Sequence, residues 1–287
     1  MSDQPSVTLH LGDCLDVLRT LPDGSVDAVI TDPPYPEIDR PYGRLTEAEW
    51  WALIVEGVVP EVRRILKPTG SAVFILQPNS RKVGSMRGWL WEFMAWACRE
   101  WNMVQDAWWW NTATLPQACT IHGKLLRPSL KACVWCGPSD AFRSQDSVLW
   151  EESDANRAAR LTRRAVRVIH PSGHSVNGFK ASARAAERGG TTPFNVIPVA
   201  NTASINSAGA NGHGAGTPYA VADWWTRYIC PPGGVACDPF AGSGTMALAA
   251  INRGCSFVGA EKMPEYHAIA QRRINEALGA HPLFNHA

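Results

Sequence analysis

Val235-Ala236-Cys237-Asp238-Pro239-Phe240-Ala241-Gly242-Ser243-Gly244-Thr245 reads as a buried strand, a glycine-bearing turn and the opening of a helix. Glycines let the backbone approach a ligand closely, and the free N–H groups at a helix start favour polar or anionic groups. Glu261 lies at the end of the next apolar run, 23 residues beyond Asp238. A turn that offers backbone, followed by an acid suited to sugar hydroxyls, is the logic of a nucleotide site. The spacing is not that of a dinucleotide-binding G-x-G-x-x-G, and no Gly-Lys-Ser/Thr phosphate loop occurs. The ligand expected here is a nucleoside without a polyphosphate.

Working outward, strands and helices alternate on both sides of a long irregular middle. Val26 to Thr31 is an apolar strand that runs into Asp32-Pro33-Pro34-Tyr35. Two prolines after Asp32 stop both pairing and helix formation, so a rigid extended turn follows. Thr46-Glu47-Ala48-Glu49 is a capping box, opening a helix to about Leu66. Strands are expected over Ser71–Leu76 and Trp101–Asn111, with a helix over Arg87–Glu100 between them. The pattern breaks from about Thr112, where only short strand candidates remain (132–135, 147–150, 166–170). It returns at Pro218 with a helix to Ile229, the strand and turn quoted above, a strand over Ser256–Ala260 and a last helix from Pro264. This alternation predicts a mainly parallel sheet covered on both faces.

The chemistry available to Asp32-Pro33-Pro34-Tyr35 follows from its groups. An exocyclic base amine is a poor nucleophile because its lone pair is delocalised into the ring. The Asp32 carboxylate and the Pro33 carbonyl can each accept one of its N–H bonds and so localise that pair, with Pro34 helping to fix the carbonyl. Tyr35 offers a flat face for an extruded base. Attack is direct, and no cysteine nucleophile is required.

Composition bounds the rest. A chain of 287 residues, 45% hydrophobic and 18% charged, supports one large domain or one domain with an insertion. A net charge of +1 carries no global nucleic-acid signature, so such binding needs a local patch. Between Ala155 and Arg188 there are eight Lys or Arg against one acid, Glu187. A solvated helix face normally mixes signs; Arg157, Arg160, Arg163, Arg164, Arg167, Lys180 and Arg184 are therefore read as phosphate contacts. Eight scattered cysteines and a polar N-terminus point to a reducing, cytoplasmic setting with no membrane span. Cys119, His122, Cys133 and Cys136 have a zinc-like spacing, C-x2-H-x10-C-x2-C. The strand reading of Lys131–Cys136 places Cys133 and Cys136 on opposite faces, so no metal is assigned.

The two motifs together resemble the amino-methylating DNA methyltransferases. Asp238 to Thr245 resembles their S-adenosylmethionine motif and Asp32-Pro33-Pro34-Tyr35 their catalytic motif, in the order of the family's β group. The resemblance spans roughly residues 7–111 and 211–278. It implies an α/β, Rossmann-like methyltransferase fold with a mostly parallel seven-stranded sheet and helices on both faces. Residues 1–111 form the catalytic half, 112–200 an inserted target-recognition region and 201–287 the cofactor half. It also implies S-adenosylmethionine contacts from Asp13, Cys14, Asp32, Asp238, Pro239, Phe240, Gly242, Ser243, Gly244, Thr245, Glu261 and Lys262. His213-Gly214-Ala215-Gly216-Thr217-Pro218 resembles the segment touching the methionine end, where many members read His-x-Thr-x-Lys-Pro. With Ala215 and Thr217 at the Thr and Lys positions, that contact falls to backbone groups or to Thr217.

The implied reaction is transfer of a methyl group to adenine N6 of a flipped-out base in double-stranded DNA, since an Asp at position 32 is more typical of adenine enzymes. Cytosine N4 is the alternative, and methylation of RNA or a glutamine amide a further one. A non-catalytic DNA-binding module is the reading of another class; the intact Asp32 and Tyr35 weigh against it. The family further implies a homodimer and allows a separate restriction endonuclease as partner.

Overall fold

The structure, a computed structural model, describes residues 5–114, 125–151, 168–169, 175–176, 188–201 and 216–280. The chain divides into two compact units, one formed by 1–143 with 195–287 and the other by 144–194.

The first unit is built around one sheet. Its strands are β1 (Val7–Leu11), β2 (Val26–Thr31), β3 (Leu66–Leu76), β6 (Met103–Gln105), β7 (Trp108–Trp110), β8 (Leu130–Cys136), β11 (Val196–Pro198), β12 (Val235–Asp238) and β13 (Ser256–Glu261). They lie in the order β1-β13-β12-β2-β3-β8-β7-β11, with β6 also on β8. The first five neighbours are mutually parallel; β8 alone runs against the direction of β3, β6 and β7. A small antiparallel hairpin of β4 (Ser80–Lys82) and β5 (Ser85–Met86) stands apart from the sheet. The helices are α1 (Cys14–Thr20), α2 (Glu47–Trp51), α3 (Val59–Ile65), α4 (Trp89–Glu100), α5 (Tyr219–Ile229), α6 (Thr245–Asn252) and α7 (Pro264–Ala280).

The α/β, Rossmann-like architecture is as expected, with two differences in the sheet. Nine strands replace the expected seven among the described residues. The segment read as one strand over Trp101–Asn111 is two short strands. Its pairing with β8 shifts register between Met103 and Gln105, and past that shift the Cys133 N–H donates to the Ala107 carbonyl at 2.8 Å. β11 extends the edge beyond β7 and carried no sequence signal, being three residues long and ending in proline.

The capping box forms as read: the Glu49 N–H donates to Thr46 Oγ1 and the Thr46 N–H to Glu49 Oε2. Between α2 and α3 the helix widens to π-type bonding over Ala52–Val58. Pro60 sits just past this stretch; it lacks an N–H, and its ring would clash with the carbonyl four residues back in a regular α-helix.

β2 is buried at every position, as a central strand covered on both faces must be. The core between sheet and helices is aromatic. Trp50, Trp89 and Phe93 meet at ring-centroid distances of 4.8 and 5.4 Å, and Phe93 continues to Phe74 of β3. Five of the chain's 13 tryptophans are core residues: Trp50, Trp89, Trp109, Trp135 and Trp225 are all essentially buried. Cys133 and Cys136 are likewise buried in β8, and burial pushes the Cys133 thiol up to about 12. Cys119 and His122 lie outside the described residues.

In the second unit, the strand expected over Ser147–Trp150 is instead a 3-10 turn, Gln145–Val148, followed by a single bridge from Trp150 to Thr191. The turn opens with the Ser147 N–H donating to the Ser144 carbonyl at 3.2 Å, and the two hydroxyls lie 2.8 Å apart beside it. β9 (Val168–Ile169) pairs antiparallel with β10 (Ser175–Val176). Arg157, Arg160, Arg163, Arg164, Arg167, Lys180 and Arg184 lie outside the described residues.

At the edge of the sheet opposite the site, Asp27 joins three elements. Its carboxylate accepts from Lys67 Nζ at 2.7 Å and from the Val235 N–H at 2.8 Å. Asp27→Ala leaves that buried N–H unpaired and is expected to lower unfolding free energy by about 2 to 3 kcal/mol, read from urea denaturation followed by circular dichroism.

Candidate active site

The parallel register carries the site. Because β12 lies beside β2 and β13, and β1 beside β13, the chain leaves all of these strands at the same edge. Asp238, Glu261, Gly12 and the Asp32 motif therefore converge there. After β12 the chain turns back to β13, and after β2 it goes the other way to β3. Two loops diverging from adjacent strands leave a crevice between them, the usual ligand position in open α/β sheets. A cavity of about 570 Å³ occupies it, a volume suited to a nucleoside-sized ligand.

The glycine turn is shaped by backbone needs. Gly242 and Gly244 have φ of +53° and +80°, conformations costly for any residue with a side chain. A Cβ at Gly244 would stand 3.1 Å from the Ala270 Cβ on α7, so the position is closed sterically as well. The Ser243 carbonyl accepts from the Arg273 guanidinium, which fixes the turn against α7.

Three carboxylates meet at this edge and each is held differently. Asp238 is 3% exposed and accepts from Thr31 Oγ1 at 2.6 Å and from the Phe240 N–H at 3.0 Å. Burial still dominates and pushes its carboxyl up to about 7. Glu261 accepts from the Gly242 N–H at 2.8 Å and the Met263 N–H at 2.7 Å, bracing the glycine turn; burial holds it above the usual carboxylate range. Asp32 accepts from the Tyr35 hydroxyl on one oxygen and from Thr217 Oγ1 on the other at 2.6 Å, with Lys131 Nζ 3.5 Å away. Pro33 lines the cavity, and its carbonyl has no partner among the described residues.

The Asp32 motif is clamped from behind. Trp50 Nε1 donates to the Pro34 carbonyl at 2.8 Å, and Asn79 Nδ2 donates to the Pro36 carbonyl at 2.6 Å. The Tyr35 ring stacks beside Trp89 at 6.5 Å and lies under Lys131 Nζ at 5.3 Å. Burial and the neighbouring Asp32 carboxylate raise the Tyr35 hydroxyl well above its ordinary range, so it stays a proton donor.

Of the residues read from the sequence, Asp13, Cys14, Asp32, Pro33, Pro34, Tyr35, Thr217, Asp238, Pro239, Phe240, Gly242, Ser243, Thr245, Glu261 and Lys262 all line the cavity. Gly244 sits behind it as the start of α6. His213 and Ala215 lie outside the described residues. Asp13 caps α1 by accepting from the Leu15 N–H at 3.0 Å, and Lys262 Nζ comes within 3.5 Å of its other oxygen. Sequence reasoning missed Lys131, Asn111 and Gln77, which complete the wall beside Asp32. Lys131 had one signal, a charge inside an otherwise apolar strand; its ammonium lies 3.0 Å from the Tyr35 hydroxyl and over the Trp109 ring at 4.8 Å.

An open, mostly parallel sheet with a crevice at its switch point, a glycine turn, a buried acid at the end of the next strand and an Asp-Pro-Pro-Tyr turn defines the nucleoside-dependent amino-methyltransferase class. The family described as DNA methylase, of the N6 and N4 type, matches residues 26–272, and the chain belongs to it. Among relatives, the Type II methyltransferase M.PvuII of Proteus hauseri is 23% identical over 93% of this chain and 83% of its own length. The DNA adenine methyltransferase YhdJ of Escherichia coli K12 is 26% identical over 94% and 83%. A structure of the cytosine-N4-specific PvuII DNA methyltransferase superposes with a TM-score of 0.68 at 19% identity, covering 96% of this chain and 93% of that one. TTHA0409 of Thermus thermophilus, complexed with S-adenosyl-L-methionine, gives 0.58 at 20% identity over 94% and 95%.

The raised Asp238 carboxyl has a thermodynamic consequence. The folded state binds its proton more tightly than the unfolded state, so its contribution is fully present below the unfolded value near 4 and is lost as pH rises through about 7. Asp238→Asn keeps an acceptor oxygen but cannot ionise. Relative to wild type, its stability is expected to improve by on the order of 2 kcal/mol between pH 5 and pH 8, measured by urea unfolding at both.

Proposed function

We propose that this DNA methylase uses S-adenosylmethionine to methylate adenine N6 in double-stranded DNA, acting directly on a flipped-out base. The observation that carries the reading is the juxtaposition of the Asp32 carboxylate and the partner-free Pro33 carbonyl at the same cavity that Glu261 and the glycine turn enclose. The residues fit the cofactor. Glu261 keeps lone pairs for ribose hydroxyls after bracing the turn, Asp13 and Cys14 flank the position for the adenine, and Thr217 stands at the methionine end. When bound, S-adenosylmethionine supplies an electrophilic methyl group on a sulfonium.

The chain's own groups prepare the base. Asp32 and the Pro33 carbonyl accept the two amine protons and localise the nitrogen lone pair. Trp50 and Asn79 hold the flanking carbonyls so that this geometry is set before the base arrives. In the present arrangement Asp32 accepts one hydroxyl on each oxygen, from Tyr35 and from Thr217, and the carboxylate keeps lone-pair capacity for the entering amine. Covalent catalysis is disfavoured by Cys14, the one cysteine lining the cavity among the described residues: burial pushes its thiol up to about 12, which leaves it protonated and unreactive.

Adenine rests on the Asp at position 32 and on the likeness to YhdJ, named a DNA adenine methyltransferase. Cytosine N4 is favoured instead by the likeness to the PvuII structure, named cytosine-N4-specific. The 112–200 region, with its arginines, is assigned to target recognition, and the active form to a homodimer in the cytoplasm. A separate restriction endonuclease is its natural partner if the target is also cleaved.

The test is mass spectrometry of nucleosides from genomic DNA incubated with the protein and cofactor. N6-methyladenine is expected; N4-methylcytosine alone replaces the adenine assignment, and neither product refutes the reading. Asp32→Ala is expected to cut turnover by at least a thousandfold, about 4 kcal/mol of transition-state stabilisation, while cofactor affinity from calorimetry changes by less than about threefold.

A further inference from the structure

The β4–β5 hairpin projects from the sheet edge that carries Asp32. β3 runs parallel to β2 and ends at Leu76, so Gln77 onward leaves the sheet on the same side as the Asp32 motif. Its register pairs Ser80 with Met86 and Lys82 with Ser85, and Gly84, at φ +78°, makes the tight turn. From Pro78 to Trp91 there is no acid. Arg81 and Lys82 are exposed, and neither meets an acid among the described residues. The arginines Arg87 and Arg44 are paired by contrast, Arg87 with Glu37 and Glu47 and Arg44 with Glu37. The hairpin also turns apolar side chains to water, Val83 at 68% and Met86 at 55% exposure.

The root of this ribbon is rigid and tied to the catalytic turn. Asn79 accepts from the Trp89 indole at 2.9 Å and donates to the Pro36 carbonyl at 2.6 Å, while its own carbonyl accepts from the Arg87 N–H at 3.1 Å. One residue thus closes the hairpin and fixes it to the segment immediately after Tyr35.

We infer that the 80–86 hairpin is a second DNA-contacting element, with Arg81 and Lys82 on backbone phosphates and Val83 at its tip and Met86 on its second strand against a groove. A two-stranded ribbon has the width that the major groove of B-DNA admits. Two cations that meet no acid among the described residues, beside the exposed apolar Val83 and Met86, match a surface that is anionic along its backbone and offers the thymine methyl among otherwise polar base edges. The tie through Asn79 sets the register between the duplex and Asp32 from the catalytic side, independently of the 112–200 region. The inference rests on the reading of double-stranded DNA as substrate.

The experiment measures binding of the full-length protein to a duplex of about 30 base pairs by fluorescence anisotropy across a salt series. Arg81→Glu/Lys82→Glu is expected to weaken binding at least tenfold at about 100 mM salt. It is also expected to flatten the slope of log K against log salt by about 2, one unit per lost phosphate contact. Arg99→Glu/Arg272→Glu changes net charge equally on exposed helix positions of α4 and α7 and is expected to leave the slope within about half a unit of wild type. Cofactor binding by calorimetry reports folding; if the Glu variant loses it, Arg81→Gln/Lys82→Gln is read instead, with the same sign. Equal slopes in the hairpin variant and wild type, or equal losses in both double variants, overturn the hairpin. Absence of duplex binding by wild type overturns the DNA reading itself.

Discussion

The Thr31 hydroxyl donates to Asp238 at 2.6 Å across 207 positions of sequence, and the site depends on the register that makes this bond possible. β12 pairs with β2 through only two residue pairs, Ala236 with Ala28 and Cys237 with Val29. Those two pairs place the end of the glycine-turn strand beside the end of the strand that carries Asp32. A one-residue slip would turn every β12 side chain to the other face and send Asp238 away from Thr31. Asp27 guards the opposite end of the same strands by binding the Val235 N–H, so the register is pinned at both ends by buried carboxylates.

That arrangement concentrates negative charge where burial is deepest. Asp32, Asp238 and Glu261 share one rim, and desolvation raises two of them. The structure offsets the cost unequally. Glu261 has backbone N–H groups, Asp238 a hydroxyl and one N–H, and Asp32 two hydroxyls with an ammonium nearby. Backbone donors cannot leave, whereas hydroxyls and a lysine can rotate away. The carboxylate with the most exchangeable partners is Asp32, the one proposed to face the base.

Much of this was legible in the sequence because it rests on local chemistry. The glycine turn, the acid after the next strand and the double proline each announce themselves through backbone restriction, and nearly all the residues read from them line one cavity. Lys131 was hidden because its role is set by β8 running antiparallel between β3 and β7, a tertiary fact. The split of 101–111 into two strands escaped for the same reason: it goes with a register shift on β8, not with any residue type in the segment. Ser147–Trp150 looked extended by composition, but the Ser147 N–H turns back to the Ser144 carbonyl and so is not offered to a neighbouring strand. The 80–86 hairpin is too short for periodicity to reveal, and only its placement gives it meaning.

The strand order also dictates a sequence of events during synthesis. Among the described residues β1 has one neighbour in the sheet, β13, and β2 is flanked on one side by β12; both partners come from the last quarter of the chain. While the ribosome is still making the middle of the protein, β1 has nothing to pair with and one edge of β2 stands open. Such non-local closure is slow and leaves strand edges available for wrong pairings. The nascent protein therefore carries the Asp32 turn for most of its synthesis without the glycine turn and Glu261 beside it, and acquires both the completed sheet and the cavity for its methyl donor only when the C-terminal strands arrive.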